Sequence, residues 1–385
     1  MTTKHRKILY WSASVVSFLA IGIWFFVFKD HVYTDDAYVH GNLVMITPLQ
    51  PGFVQAVLTD DTFLVHKGQL LVELDSTDAA IALESAKELL GLKVREISGT
   101  FHAWFALQAE IQAKKADFLQ AAQDYTHRLS VLAIGGVSVE EFEHAEAALK
   151  RTFFLLRQTE RTYKRLSAFL QGTSISTHPE VIQAKDKARQ AFVNLYRTRI
   201  YSPVDGLVAQ RNIQVGSWIP AGTPMLAVIP LDQIWVNANF KETQMKHMRI
   251  GQHVVMTSDL YGKDVVFHGT IVGLPGGSGN VFSLLPPQNL SGNWIKIVQR
   301  LPVRVAIDQN ALKEHPLRLG LSMEAFVDLR TAGVLVPSSS EGAPKYTTDI
   351  YEQEEYGDMI WIEEIMKIHS DPTLLPYFTE PLIIQ

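Results

Sequence analysis

The stretch ITPLQPGFVQAVLTDDTFLVHKGQLLVEL, residues Ile46–Leu74, has a counterpart later in the chain. Its pattern of short apolar strands and glycine turns returns without a gap at Ile200–Val228, where Gly206 matches Gly52 at an offset of 154 residues. Self-similarity at a fixed offset indicates one structural unit used twice. The segment between the copies is poor in glycine and helix-forming. We therefore expect two halves of one small β-sandwich, separated in sequence by a helical excursion.

Each half of this repeat resembles half of a lipoyl or biotinyl carrier domain. A carrier holds its cofactor on a lysine at the tip of the hairpin that joins its halves, and Asp75-Ser76-Thr77-Asp78 stands at that place. We therefore expect a structural sandwich with no covalently bound cofactor. Leu74 and Val228 hold the same position in the two halves and should both lie in its core.

The helical excursion begins with the N-cap cluster Ser76-Thr77-Asp78 and carries a heptad pattern. One position is apolar in eight successive heptads: Leu83, Leu90, Ile97, Trp104, Ile111, Phe118, Tyr125 and Leu132. Such a sustained period of seven is typical of a coiled coil. At 1.5 Å per residue the helix would be about 80 Å long.

The end of this helix and the start of the next are marked by local signals. Ala133–Val137 contains two glycines, and Ser138 with Glu141 three residues later forms a capping box. The return helix keeps the period of seven at Phe142, Leu149, Leu156, Tyr163 and Leu170. A short loop between helices of matching period predicts an antiparallel hairpin.

Three aromatic residues on the first helix, Phe101, Trp104 and Phe105, are spread too widely to face one partner helix. The simpler interpretation is that they belong to the hairpin core. The alternative is that some of them face neighbouring hairpins or a hydrophobic substrate.

Beyond Pro230 the pattern changes to strict alternation of apolar and polar residues. The alternating runs are centred on Ala238, Val305 and Ala325, and glycines separate them. They predict a small antiparallel barrel of about six strands. The stretch Gly276–Gly279 reads as a flexible loop within it.

The last part of the chain differs in composition from the rest. Gly333–Thr348 is rich in Ser, Gly and Pro and reads as a linker. Tyr351–His369 is acidic and allows one weak helix, and Asp371–Gln385 carries three prolines and should be irregular.

The N-terminal run Ile8–Phe28 is uncharged and long enough to span a bilayer. Lys4, Arg6 and Lys7 precede it, which predicts a cytoplasmic N-terminus and a body outside the cytoplasm. A cleaved signal peptide is the alternative. We favour a retained anchor because the apolar run continues well past the small residues at its middle.

Composition excludes several kinds of function. The chain of 385 residues has a formal net charge of −5 and no cysteine. There is thus no basic excess for nucleic acid, no disulfide and no cysteine nucleophile. No HExxH, GxSxG or phosphate-loop motif occurs among the residues. We therefore expect no enzyme, no catalytic or metal-ligating residues and no cofactor.

The order of these parts resembles that of the membrane fusion proteins, the periplasmic adaptors of Gram-negative tripartite pumps, and most of all the EmrA type within the HlyD family. The resemblance extends over Lys4–Leu329. The stretches that carry it are Thr34–Val39, Trp235–Gln244, Met248–Gln252, Phe282–Pro286, Gly292–Val305 and Pro316–Ser322.

This resemblance implies partners and a location. An EmrA-type adaptor is a homo-oligomer in the inner membrane, held by one helix, with a periplasmic body. It joins a drug/proton antiporter of the major facilitator superfamily to a TolC-like outer-membrane channel. Two alternatives stay open: an adaptor for polypeptide secretion driven by an ABC transporter, and a drug-binding module that hands its ligand to the pump.

The resemblance also implies a docking site at the hairpin tip. Family adaptors often carry Arg, then Leu four residues on, then Ser eleven residues on. Arg128 and Leu132 fit this pattern, and Ser138 follows ten residues after the arginine, so the loop is one residue shorter.

The predicted fold is α+β, with an N-terminal transmembrane helix, a split lipoyl-like sandwich, a coiled-coil hairpin and a small barrel. The expected division is 1–29 cytoplasmic tip and anchor, 30–45 linker or membrane-proximal strand, 46–76 and 199–230 sandwich halves, 77–198 hairpin, 231–330 barrel, and 331–385 linker and tail.

Overall fold

A computed structural model describes Trp11 and residues 30–278, 281, 298–336, 345–374 and 376–382, with the backbone alone over 353–359. The chain divides into two compact units. The first comprises Met1–Pro48, Ala56–Val72 and Ile200–Thr348, and the second comprises Leu49–Gln55, Glu73–Arg199 and Asp349–Gln385.

The strands follow the chain in this order: β1 (His31–Gly41), β2 (Val44–Ile46), β3 (Gly52–Val57), β4 (Leu64–Val65), β5 (Leu70–Leu74), β6 (Arg199–Tyr201), β7 (Gly206–Ala209), β8 (Trp218–Ile219), β9 (Leu226–Ile229), β10 (Ile234–Lys241), β11 (His253–Ser258), β12 (Gly262–Gly273), β13 (Arg300–Ile307) and β14 (Ser322–Asp328).

The α-helices are α1 (Thr77–Leu132), α2 (Val139–Leu170), α3 (Pro179–Tyr196), α4 (Gln309–Glu314), α5 (Gln353–His369) and α6 (Pro376–Thr379). Short 3-10 helices cover Glu242–His247 and Pro372–Leu374.

The first unit contains a closed antiparallel barrel with the strand order β1-β10-β13-β12-β11-β14. Alternate residues of β10, Val236, Ala238 and Phe240, are fully buried inside it. The prediction of a six-stranded barrel is thus confirmed. Residues 30–45, expected to be a linker or membrane-proximal strand, contain β1, which belongs to this barrel. The polar TDD stretch of β1 hides the inward-facing Ala37 and Val39 in the sequence.

Both copies of the sequence repeat contribute strands to each of two four-stranded sheets. Their strand orders are β2-β9-β7-β4 and β6-β5-β3-β8. Leu74 and Val228 are both buried, as the repeat predicted.

The second unit contains the predicted helical hairpin. The indole Nε1 of Trp104 donates to Ser167 Oγ at 2.9 Å. Nearer the turn, the rings of Phe118 and Phe153 lie 5.9 Å apart. Partners thus approach each other in sequence toward the turn, which defines an antiparallel pair. The predicted heptad position is buried from Leu83 to Ile111 and half-buried beyond it, so the hairpin prediction is confirmed.

The N-terminal cap of α1 differs from the prediction. Ser76 precedes the helix, but its side chain accepts no capping hydrogen bond. Asp75 Oδ1 instead accepts from the backbone N of Thr77 at 3.0 Å and from its hydroxyl at 2.7 Å. These bonds, that of the hydroxyl foremost, lower the pKa of Asp75. Asp75, and not Ser76, thus stabilises the start of α1.

The C-terminal segment is ordered where the sequence predicted irregular chain. Residues 372–374 and 376–379 are helical, and Leu374, Phe378 and Leu382 are buried. The expectation of an irregular Asp371–Gln385 was therefore wrong over the described part. Its apolar side chains pack into one core with those of α1, α2 and α3. This packing stabilises helical structure in a segment whose own sequence does not favour helix.

The aromatic residues of α1 have two different partners. Trp104 lies 5.6 Å from the ring of Tyr163 on α2, inside the hairpin. Phe101 and Phe105 instead face Tyr377 of the C-terminal segment, with ring centroids 6.0 and 5.3 Å apart. Trp104 thus belongs to the hairpin core as predicted, whereas Phe101 and Phe105 have an aromatic partner outside the hairpin.

Within the residues that the structure describes, no helix is both long and apolar enough to cross a bilayer. The predicted anchor Ile8–Phe28 lies outside the described residues except for Trp11, so it stays a prediction. Phe282–Pro286, the first part of Gly292–Val305 and the end of Gly276–Gly279 also lie outside them.

Candidate hairpin-tip docking site

The turn that joins α1 to α2 is built on two glycines. The backbone N of Gly135 donates to Leu132 O at 3.1 Å, and that of Gly136 donates to Val131 O at 3.0 Å. Gly135 has a φ of 75°, a left-handed conformation that side chains disfavour. The chain therefore reverses directly after the last turn of α1.

The first turn of α2 is closed by the predicted capping box. Ser138 Oγ accepts from the backbone N of Glu141 at 3.2 Å, and Glu141 Oε2 accepts from the backbone N of Ser138 at 2.9 Å. The backbone N–H and the hydroxyl of Ser138 both lower the pKa of the Glu141 carboxyl. The hydroxyl of Ser138 thus fixes the start of the helix.

Arg128 joins the two helices below this turn. Its Nε donates to Asp124 Oδ1 at 3.1 Å, one helical turn back. Its Nη1 donates to the backbone carbonyl of Glu141 at 2.8 Å. One third of the side chain stays exposed. The guanidinium therefore stabilises the tip, and part of it faces solvent.

The structure brings the three predicted docking residues to the same end of the hairpin. Arg128 and Leu132 lie on the last two turns of α1, and Ser138 precedes α2. Leu132 is half-buried. Their polar groups are engaged within the chain, so the surface left for a partner is only partly formed by them.

Three apolar side chains that were not predicted at the surface lie exposed around the turn. Leu129 is 47 %, Ile134 82 % and Val139 66 % exposed. Exposed apolar residues indicate an interaction site where they form a contiguous patch, whereas single ones are common on protein surfaces. In the sequence, Ile134 and Val139 flank the glycine turn outside the apolar heptad position, which could have indicated their exposure.

The tip offers hydrogen bonds and apolar contact. Among the described residues, no group of three or more His, Asp or Glu side chains is arranged to hold a metal ion. The arrangement is suited to binding another protein surface.

The sequence stretches that led to the family resemblance have structural roles in the barrel. Ala37 pairs with Ala238 across β1 and β10. Beside them, Asp36 accepts hydrogen bonds from Asn239 Nδ2 at 3.0 Å and from Arg300 Nη1 at 2.7 Å. These contacts tie three adjacent strands together.

Comparison with known proteins gives consistent results. The family model described as "EMRA, alpha-helical hairpin domain" matches residues 77–198. The probable multidrug resistance protein EmrK of Escherichia coli is 41 % identical over 352 residues, which cover 89 % of this chain and 91 % of that protein.

Two further proteins are similar to this chain. The multidrug export protein EmrA of Haemophilus influenzae is 38 % identical over 365 residues, covering 93 % of this chain and 94 % of that one. A solved structure described as the periplasmic adaptor protein EmrA is 19 % identical with a TM-score of 0.39, covering 78 % of this chain and 98 % of that chain.

Proposed function

Because the chain belongs to the EmrA family of membrane fusion proteins, we propose that it works as a periplasmic adaptor in a multidrug efflux pump. The observation that carries this proposal is the hairpin, whose first helix of 56 residues ends in a turn with exposed apolar side chains. At 1.5 Å per residue that helix is about 84 Å long, which suits a spacer between two membranes.

The partners of the proposed adaptor are a drug/proton antiporter of the major facilitator superfamily and a TolC-like outer-membrane channel. The antiporter supplies the energy, and the adaptor performs no chemical step. Ile8–Phe28 holds the chain in the inner membrane, with Lys4, Arg6 and Lys7 on the cytoplasmic side. Several copies assemble around one pump, and the domain bounds predicted from the sequence apply to each copy.

The outer channel binds at the hairpin tip in this proposal. Arg128 supplies a partly exposed cation for charge-assisted hydrogen bonds with partner carboxylates. Leu132 and the exposed Ile134 supply apolar contact. Ser138 contributes by holding the first turn of α2 in place.

Drug susceptibility tests this function. The chain and its neighbouring transporter are expressed in a host that lacks its own pump of this class, and the minimal inhibitory concentration is measured. Wild type should raise it, and Ile134→Asp should remove the increase. Ile81→Asp is the matched control, because Ile81 is 64 % exposed at the other end of α1.

The result is decisive in both directions. Resistance with Ile81→Asp and none with Ile134→Asp supports an adaptor that docks by its tip. Full resistance with Ile134→Asp would contradict tip docking. Resistance from the transporter alone, without this chain, would contradict the adaptor function.

A further inference from the structure

An open pocket in the first unit lies between two matching loops of the sequence repeat. The loop of residues 57–64 leads into β4, and its counterpart, residues 211–218, leads into β8 at the same offset of 154 positions. The pocket has a volume of about 440 Å³, within the range of about 300–1,000 Å³ that is typical of small-molecule sites. We call it the sandwich pocket, and its lining includes Leu58, Asp60, Phe63, Arg211 and Val215.

The walls of the sandwich pocket are apolar and accessible to solvent. Leu58, Phe63 and Val215 are between 52 and 64 % exposed. Because they line one pocket, they form a contiguous apolar patch of the kind that marks binding sites. In the second copy of the repeat, Asn212 and Ser217 stand at the positions of Leu58 and Phe63. The shared fold therefore does not require these apolar walls.

The backbone of the two loops is strained beside the pocket. Among the described residues, Thr62 and Gln210 are the non-glycine residues with a positive φ, at 73° and 57°. They directly precede Phe63 and Arg211. The second copy has Gly216 at the position of Thr62, with a φ of 83°. The turn thus requires a left-handed conformation, and the first copy holds it with a β-branched residue. Strain that persists in this way is concentrated at functional sites.

Arg211 holds the two loops against each other. Its backbone N donates to Asp61 Oδ1 at 2.8 Å, and its Nε donates to Asp60 Oδ1 at 2.7 Å. Its Nη1 donates to the backbone carbonyl of Ile213. These bonds fix the shape of the pocket in the absence of a ligand, and they engage the guanidinium within the chain.

The polar side of the pocket is negative. The two loops carry the carboxylates of Asp60 and Asp61 and the guanidinium of Arg211, which gives a net charge of −1. Hydrogen bonds from Arg211 and from the backbone N–H of Asp61 lower the pKa of Asp60, so its carboxyl group is ionised at neutral pH. Oδ2 of Asp60 accepts no hydrogen bond from the described residues. A free anionic oxygen and the aromatic ring of Phe63 in one pocket suit a cation.

We propose that the sandwich pocket binds a lipophilic cation, whose apolar body contacts Leu58, Phe63 and Val215 and whose positive charge lies at Asp60 Oδ2. An anionic ligand is disfavoured there, because the guanidinium of Arg211 is already engaged within the chain. The inference goes beyond the proposed function, since a spacer between two membranes needs no ligand site.

Two ions of similar shape and opposite charge test the charge preference. Full-length wild type in detergent is dialysed to equilibrium against radiolabelled tetraphenylphosphonium or tetraphenylborate, with protein-free detergent as the blank. The wild type should bind the cation in excess of the blank, and the anion should stay at the level of the blank. Asp60→Asn should weaken cation binding about fivefold, the scale of an exposed ion pair. Phe63→Ser should weaken it about tenfold through lost apolar contact.

Matched controls remove the same chemical groups outside the pocket. Phe53→Ser removes a ring that is 54 % exposed, and Asp232→Asn removes an exposed carboxylate. Both should bind the cation as the wild type does, and thermal unfolding checks that every variant is folded. Leu58→Asn tests the apolar wall independently of Phe63. Equal binding of both ions, or unchanged cation binding by the folded Asp60, Phe63 and Leu58 variants, would overturn the site.

The binding measurement and the drug susceptibility measurement fail separately. Resistance conferred by the wild type without selective cation binding supports the adaptor function and refutes the pocket. Selective cation binding without any increase in resistance supports the pocket and contradicts the adaptor function.

Discussion

The imidazole of His369 occupies the space that a side chain on Gly91 would fill. A Cβ atom added at Gly91 would lie 2.5 Å from the Cδ2 atom of His369. Gly99 also lies in α1, but a Cβ atom added there would have no neighbouring atom within 4 Å. Of the two glycines in α1, Gly91 is thus the one that must lack a side chain so that residues 349–382, the C-terminal strap, can pack against the helix.

Replacing these glycines by alanine should give opposite results. In a helix interior alanine is favoured over glycine by about 1 kcal/mol. Gly99→Ala should therefore raise the free energy of unfolding by about that amount. Gly91→Ala should give no gain, because its methyl group displaces His369. Urea unfolding measures the stability, and hydrogen exchange over 360–382 measures loosening of the strap. Equal stabilisation by both substitutions would contradict the close packing of His369 against Gly91.

The two repeat glycines should also differ in their tolerance of alanine. A Cβ on Gly206 would lie 2.5 Å from the backbone oxygen of Ile229, whereas one on Gly52 would lie 3.5 Å from Leu74 Cβ, an ordinary contact. Gly206→Ala should destabilise by roughly 1–3 kcal/mol through overpacking, and Gly52→Ala by less than about 0.5 kcal/mol. Thermal unfolding of both variants measures this difference in stability, and a larger loss for Gly52→Ala would refute the prediction.

The strap should loosen in acid through Asp371. Hydrogen bonds from the hydroxyl and backbone N–H of Thr373, and from His102, lower the pKa of Asp371 from 3.8 to about 2. Because the folded pKa is depressed, its stabilising contribution is present above pH 3.8 and is lost as the pH falls through about 2. The melting temperature of wild type should therefore approach that of Asp371→Asn over this interval.

The control for this pH effect is Asp186→Asn, at an exposed position of α3. Its melting temperature should follow that of wild type over the same interval. A constant difference between wild type and Asp371→Asn down to about pH 2 would show that this carboxylate does not hold the strap.

The tip arginine should be essential for resistance. Loss of a buried charge-assisted contact with the channel costs roughly 2–5 kcal/mol per site, so Arg128→Asp should abolish resistance, as should Leu132→Asp. Expression, membrane association and transporter binding should be unchanged. Asp124→Asn is the control, since it removes the intrahelical partner of Arg128 and keeps the cation. Wild-type resistance in both Asp variants means that the tip is not the docking surface.

The capping box should matter locally. Ser138→Ala removes the acceptor for the backbone N of Glu141 and should cost about 0.5–2 kcal/mol. Ser138→Asp keeps an acceptor and should cost less. Hydrogen exchange of the first turn of α2 reports the change. If the alanine variant exchanges no faster than wild type there, the cap is not stabilising.

Periodic elements were predictable from sequence because their packing partners impose a period. The apolar heptad from Leu83 to Leu132 gave the hairpin, and the alternation around Ala238 gave the barrel. One weak helix over Tyr351–His369 was predicted, but the packing of the strap was not predictable, because its partners lie about 270 positions earlier and impose no local pattern. At the tip, the cap at Ser138 is a local signal, whereas the contact of Arg128 with Glu141 depends on how the two helices meet.

The topology of the barrel has a consequence for how the chain folds. Strand β1 is made first, yet its partners β10 and β14 follow only after the whole hairpin, with Ala37 pairing about 200 positions later with Ala238. At about 5–20 residues per second of synthesis, β1 waits on the order of 10–40 s with unpaired backbone groups. The hairpin, with its local contacts, can form during this time. Closure of the barrel is then the late step, and β1 is the strand that most needs protection from premature pairing with other chains.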